Sequence, residues 1–495
     1  MTDAAKSIAL VAHSEWRVFL VRLCALMRER YGSVIHLYCM TEQERHYYEK
    51  LNQDGLFASI TNVIGLMEAA TKPVADPAAV LAQAAEHESR LGTTFNILFA
   101  ANRHFGRGFS PGGFRHPRSR YSESSDYLQI VAAYNETVSF WETELREKQI
   151  SLVLSASKEL SCVARALGVP TRNLIGSRYK NYHMWVVDEF MNAPRIAEGY
   201  AAIDSAPQRE IVAPYDSHMQ YRETFMKSMR MRVALQRMGM TALRHLYWRI
   251  RRYEKGRQYF MRDEVLFHWR VWRANRSLTG SSATQLDALD GKPFVFFPLH
   301  AEPESSLQVA SPECLVQLST ITSLARDLPA GYYLAVKETY QTYGRRPSNF
   351  YDQIREFKNV VLLDMLELGL EVARRAEAVA TITGTAGFEA AVMGKPVISF
   401  GRHNQYNVLP HVTVVDREED LAPALRAALF EGVDRDQALR DGARFLQAVL
   451  DNSFDMAAYD INDPETVPAE ILTAACDRLV ESLEPASETP MARAG

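Results

Sequence analysis

The sequence is poor in the features that mark a secreted, membrane-spanning or metal-bound protein. Its five cysteines (Cys24, Cys39, Cys162, Cys314 and Cys476) are scattered, odd in number and free of Cys-x-x-Cys spacing. That argues against a disulfide framework and suits thiols kept reduced in a cytoplasm. No uninterrupted apolar run approaches the length that spans a bilayer. The apolar run behind Met1-Thr-Asp-Ala-Ala-Lys-Ser7 is too short for a signal peptide. An excess of either charge is lacking too, with 56 Lys/Arg against 60 Asp/Glu and a net charge of −4. A general nucleic-acid binder is therefore excluded, although local patches can still be basic. His and Cys are nowhere clustered at ligand spacing, so neither a metal nor a cofactor is expected. These absences point to a cytoplasmic protein, or one peripheral on the inner face of a membrane.

What is present is a chain of 495 residues, 47% apolar and 23% charged, which is long enough for two domains. One stretch organises the reading. Ala378 to Thr383 is an apolar, partly β-branched run that suits a buried parallel strand. Gly384 and Gly387 let the backbone turn sharply and approach a ligand without a Cβ in the way. A short helix follows, Gly394 ends it, and Val397 to Phe400 is the next strand. A helix N-terminus at the carboxyl end of a parallel strand presents free N–H groups and attracts anions. Thr383 and Thr385 add hydroxyls, and Glu389 either accepts from ribose hydroxyls or helps to cap the helix.

Thr383-Gly-Thr-Ala-Gly-Phe-Glu-Ala390, followed by Gly394-Lys-Pro-Val-Ile-Ser-Phe-Gly401, resembles the signature of the bacterial capsule polysaccharide biosynthesis family. That family includes Kdo transferases. Phe297-Pro-Leu-His-Ala-Glu-Pro-Glu304, Val336-Lys-Glu338 and Gly344-Arg-Arg-Pro347 are similar in order and spacing, so the likeness covers roughly residues 290 to 402. It implies an α/β protein of two Rossmann-like domains in the GT-B arrangement. The family's usual Lys-Glu-His-Pro reads Lys-Glu-Thr-Tyr here, so no phosphate-binding histidine is assigned at 339–340.

In chain order, Ile8 to Ala12 and Val34 to Tyr38 are strands about a helix, with His13 and Glu15 at the first strand's end. No glycine-rich fingerprint accompanies them. Phe95 to Ala100 reads as a strand that runs into a loop with four glycines and two prolines over 102–119. Arg103, His104, Arg107, Arg115, His116 and Arg118 give that loop the character of an acceptor-binding segment, or of a solvated loop whose arginines meet nearby acids. Arg178 and Lys180 either face the cleft or pair with Asp188 or Glu189. From 227 to 276 there are fourteen Lys/Arg and three acids at amphipathic helical spacing. This is a membrane-surface arm or a packing arm with a solvated basic face.

The expected division is an acceptor domain over 1–222, a basic helical arm and linker over 223–285, and a nucleotide-sugar domain over 286–415. Helices over 416–484 cross back to the first domain, and a disordered tail covers 485–495. Candidate acid/base residues are His300, Glu302 and Glu304, which cluster after a buried strand. The candidate donor site is Lys337, Glu338, Arg345, Arg346, Thr383, Gly384, Thr385, Gly387 and Glu389. The resemblance implies a metal-independent glycosyltransferase that moves a 2-keto sugar acid (Kdo or a nonulosonic acid) from a CMP-linked nucleotide sugar to a glycan or glycolipid acceptor. A non-catalytic glycan-binding subunit and a sugar-nucleotide epimerase of the same shape are the alternatives.

Overall fold

The computed structural model describes residues 5–13, 16–102, 104–105, 117–211, 226–227, 229–254, 258–280, 283–301, 305–339, 345–347, 349–459 and 466–484. The expected tail at 485–495 and Glu15 lie outside the described residues.

Buried apolar strands build two sheets. The first contains β1 (Ser7–Val11), β2 (Val34–Cys39), β3 (Phe57–Asn62), β4 (Leu152–Leu154), β5 (Thr171–Gly176) and β6 (Tyr182–Val186). The second contains β7 (Phe294–Pro298), β8 (Tyr333–Lys337), β9 (Val360–Leu362), β10 (Ala378–Thr381), β11 (Val397–Ser399) and β12 (Val412–Val414). A late strand, β13 (Ser453–Asp455), returns to the edge of the first sheet. The orders are β13-β6-β5-β4-β1-β2-β3 and β12-β11-β10-β7-β8-β9. The second sheet is parallel throughout; in the first, β6 is antiparallel to both β5 and β13. Counted from its own first strand, each sheet runs 3-2-1-4-5-6, the doubly wound Rossmann order. The two-domain GT-B fold expected from the sequence is the fold observed.

That order determines where a ligand goes. In open parallel sheets the crevice opens at the carboxyl ends of the strands flanking the reversal of direction. In the second sheet these are β7 and β10, in register through Val379 and Phe296. His300 follows β7, and Thr383 follows β10. The faces of the two sheets share one apolar cluster in which Tyr179, Met184, Val186 and Ile196 meet Phe294, Phe296, Phe388 and Phe445.

Between the sheets the chain makes an antiparallel hairpin of helices, Met231–Ile250 and Met261–Leu278, held by Thr241 against His268 at 3.0 Å. At the other end, helix Ala469–Ser482 packs Ala475, Cys476 and Leu479 against Leu23, Cys24 and Met27 of the first domain. Trp185 Nε1 donates to the Ala475 carbonyl at 2.9 Å. The C-terminal helices do cross back.

One expected element is corrected. Phe95 to Ala100 is not a strand but the start of the helix Phe95–Ala101, with Thr94 as its cap accepting from the Ile97 amide at 3.3 Å. Phe95, Leu98 and Phe99 are buried while Asn96 and Ile97 are exposed, which is a helical i, i+3, i+4 pattern inside an apolar run.

Candidate functional site

The site is built on His300. Its backbone is clamped by Gln317, which accepts from the His300 amide (2.7 Å) and donates to its carbonyl (3.1 Å). Arg346 donates to the same carbonyl at 2.7 Å. The ring reaches across to the second strand of the switch point, where Nε2 accepts from the Thr383 amide at 3.0 Å and lies 3.3 Å from Thr381 Oγ1. Burial, with Arg346 and Arg178 nearby, lowers the ring's pKa to about 3. The imidazole is therefore neutral, its proton on Nδ1, and Nδ1 is buried without a partner among the described residues. Such a group offers one N–H donor. It is poorly suited to the acid/base work expected of it.

Gly384 and Gly387 do a different job from the one read in the sequence. A Cβ on Gly384 would lie 2.8 Å from Thr381 Oγ1 and 3.1 Å from His300 Nε2. A Cβ on Gly387 would lie 2.4 Å from Thr381 Cγ2 and 2.5 Å from the Tyr406 hydroxyl oxygen. The atoms these glycines make room for are the protein's own, and the tight packing brings the helix Thr385–Val392 against the strand ends. Gly384 holds the N-cap position with no side-chain cap, and Thr385 is exposed at the first turn. Thr383 is 5% exposed, and its Oγ1 has no partner among the described residues.

A cation from the other domain closes the arrangement. Arg178, just past β5 and in the left-handed region at φ 70°, has a buried Nη1 without a partner among the described residues. It shares a narrow cleft with Thr383, Phe388 and Tyr406. Its charge adds to the burial that lowers His300, opposes the burial that raises Tyr406 to about 12, and with Arg374 opposes the burial that raises Glu389 to about 7. The pairing with Asp188 or Glu189 that the sequence left open for Arg178 is not made. Glu189 is bound by Arg165 at 2.7 Å, and Asp188 caps its own turn by accepting from the Phe190 and Asn192 amides. Phe190 stacks on His403 with centroids 4.4 Å apart, which closes the rim of the cleft across the domains. Sequence reasoning left Arg178 out of the candidate site because nothing in the sequence shows which sheet edge faces its partner domain.

The remaining candidates separate. Glu338 and Arg346 form a fully buried pair at 2.8 Å, to which Tyr351 adds a donor at 2.7 Å. Arg346 holds Glu338 and the His300 carbonyl together, so it braces the site instead of clamping a phosphate. Arg345 lies over the Phe267 ring of the helical arm, 5.4 Å from its centroid. Burial lowers Lys337 to about 8 against the opposing pull of Glu338, Glu367 and Asp364. Arg118 is tied to Asp263 of the arm at 2.8 Å, and His104 stacks on Tyr259. Glu302, Glu304, Arg103, Arg107, Arg115 and His116 lie outside the described residues. Among the described residues no group of three or more His, Cys, Asp or Glu is placed to hold a metal. One Asp-x-Asp does occur, at Asp434 and Asp436, and it is a helix start where Asp434 accepts from the Gln437 amide at 3.1 Å.

Residues 187–409 match the model of the family described as capsule polysaccharide biosynthesis protein. No curated protein matches the sequence. Among solved structures, the chain is similar to Thermosulfurimonas dismutans KpsC, a beta Kdo 2,7 transferase, at 16% identity and a TM-score of 0.31, covering 69% of this chain and 88% of that one. It is also similar to a glycosyltransferase from Rickettsia africae, at 10% identity and a TM-score of 0.33, over 97% and 99% of the two chains. The UDP-GlcNAc 2-epimerase of Methanocaldococcus jannaschii overlaps at 12% identity and a TM-score of 0.27, over 90% and 99%. These scores are low, and the fold assignment rests on the two sheets themselves. The matched residues 187–409 hold the switch point and its glycine turn, so over that stretch the chain is similar to the capsule polysaccharide biosynthesis family.

Proposed function

We propose that this protein is a glycosyltransferase that takes a nucleotide sugar into the cleft between its two domains and transfers the sugar to a glycan or glycolipid. One observation carries the reading. At the switch point of a parallel sheet, three buried donors have no partner among the described residues: His300 Nδ1, Thr383 Oγ1 and Arg178 Nη1. An unmet buried polar group costs about 1–3 kcal/mol, so a cluster of them beside a helix N-terminus supports the reading that an anion binds there.

The donor that suits this arrangement is a CMP-activated 2-keto sugar acid. It carries one phosphate and one carboxylate, which need separate cationic holds. The first turn of helix Thr385–Val392, with Thr383, takes the phosphate. Arg178, arriving from the other domain, takes the carboxylate, and Glu389 accepts from the ribose hydroxyls. These holds are protein groups, so the proposed chemistry needs no divalent ion. The cytoplasm is the proposed setting, because nucleotide sugars are made there. The acceptor would enter along the segment that includes His104 and Arg118.

Calorimetric titration with CMP, UDP and GDP in EDTA tests the donor. CMP is expected to bind most tightly, and tighter binding of UDP or GDP overturns the CMP assignment. Incubation of the sugar nucleotide with and without an acceptor tests the reaction. Turnover without an acceptor would show an epimerase, and binding without turnover a glycan-binding subunit.

A further inference from the structure

The helix Met231–Ile250 is inside out for a soluble protein. Its packed side is small and polar, with Ala234, Thr241 and His245 only 4–5% exposed against the second arm helix. Its outer side is apolar. Met231 and Leu235 are four residues apart, Leu243 follows two turns further on the same side, and Leu246 and Ile250 continue at three- and four-residue steps, with Met240 and Tyr247 alongside. Ile250 is 70% exposed, Leu243 61% and Met240 60%. Of the seventeen large apolar side chains that the described residues expose, seven stand on this one helix. Scattered exposed apolar groups are ordinary, but a contiguous face of them marks a docking surface.

Charge identifies the occupant. The helix carries Arg232, Arg237, Arg244 and Arg249 and no acid, and Arg251 and Arg252 follow it. The acids nearby in the arm are turned inward. Glu254 accepts from the Glu42 amide at 2.8 Å, Asp263 binds Arg118, and Glu264 binds His245. Among the described residues, none of Arg232, Arg237, Arg244 and Arg249 is in an ion pair. A second copy of the chain would bring the same positive face against itself, whereas an anionic bilayer offers hydrocarbon for the apolar stripe and headgroups for its arginine margins.

We infer that this helix lies in the surface of an anionic membrane, its axis parallel to the bilayer and Leu243, Leu246 and Ile250 sunk among the acyl chains. This goes beyond the transferase reading and does not depend on it. It has a consequence for that reading, because the arm is fastened to the acceptor side through Arg118–Asp263 and to the donor side through Arg345–Phe267. Docking would thus set the cleft beside the membrane, where a lipid-linked acceptor lies.

Co-sedimentation with phosphatidylcholine vesicles, with and without phosphatidylglycerol, tests the inference without any assay of activity. The purified chain is expected to pellet with the anionic vesicles and to be released by salt. Leu243→Gln/Ile250→Gln should lower partitioning about a hundredfold, since two large apolar groups leave the acyl region. Arg237→Gln/Arg244→Gln should lower it about tenfold or more. All four side chains are on the outer side of the arm, so both variants should melt like the parent; the second pair serves if the first does not fold. Failure to bind anionic vesicles, or unchanged binding in both variants, overturns the inference. So does light scattering that shows a dimer which Leu243→Gln/Ile250→Gln makes monomeric, since the face would then belong to a second copy.

Discussion

The Thr383 amide donates to Nε2 of His300 across the switch point, from the strand end of β10 to that of β7, at 3.0 Å. This bond fixes the tautomer, because a ring that accepts at Nε2 and is held neutral must carry its proton on Nδ1. His300 should therefore show no titration in the physiological range. Relative to an ordinary value of 6.5 its pKa is lowered, so its contribution to stability is present above 6.5 and is lost as pH falls toward about 3. Nuclear magnetic resonance of the ring protons should give a flat response from neutral to mildly acidic pH. A midpoint near the free-histidine value would show that the ring is not buried neutral.

The Glu338–Arg346 pair should behave as a brace. Both side chains are at most 1% exposed, so removing either partner leaves the other charge buried and unpaired. Glu338→Gln or Arg346→Met is expected to cost about 3–5 kcal/mol, and the double variant much less than the sum. The Glu338 pKa is lowered, chiefly by Arg346 acting against burial, so the pair's contribution is present at neutral pH and is lost as the solution is acidified. Urea unfolding of the three variants checks this. Additive losses would mean that the two residues act independently.

Gly387→Ala should be felt inside the protein before any ligand is added. The new methyl would meet Thr381 Cγ2 at 2.4 Å and the Tyr406 hydroxyl at 2.5 Å. Overpacking of this kind costs about 1–3 kcal/mol. Thr381→Ser removes the nearest of those atoms and should recover part of the loss. Equal melting temperatures for the parent and Gly387→Ala would refute the packing account and return the glycine to a ligand-facing role.

Much of this architecture was legible in the sequence, for reasons particular residues make clear. The runs Phe294–Phe297 and Ala378–Thr381 are short, apolar and bounded by glycine or proline, the pattern of a parallel strand buried on both faces. The turn at Gly384 and Gly387 could be located, although its crowding by Thr381 and Tyr406 could not, since those contacts exist only once the fold has formed. Phe95 to Ala101 misled because six apolar residues in seven hide their period. The three residues of β13 carry no period at all, and only the antiparallel edge of β6 makes them a strand. Arg346 was misread for a related reason. A Gly-Arg-Arg-Pro turn states that two cations are present but not that Glu338, eight residues earlier, already holds one of them.

Glu389 should make donor binding depend on pH. It is only partly buried on the helix Thr385–Val392, and desolvation raises its pKa from 4.5 to about 7, with Arg374 and Arg178 opposing. A raised carboxyl adds stability below 4.5 that is lost as pH rises to about 7, so Glu389→Gln should melt higher than the parent at alkaline pH and alike at pH 4. Accepting from a ribose requires the carboxylate, so nucleotide affinity should run the other way, rising through pH 7 in the parent and staying weak and flat in Glu389→Gln. Thr385→Ala, at an exposed position that makes no cap bond, should leave melting almost unchanged while weakening the nucleotide. Arg178→Gln separates the two anionic holds: CMP alone should bind nearly as before, whereas a CMP-linked sugar acid should lose about tenfold or more with its carboxylate unpaired. Calorimetry at pH 5.5 and pH 8 reads all three. Parent affinity that is independent of pH would remove Glu389 from the ribose site, and equal losses for CMP and its sugar acid in Arg178→Gln would move that arginine to the phosphate.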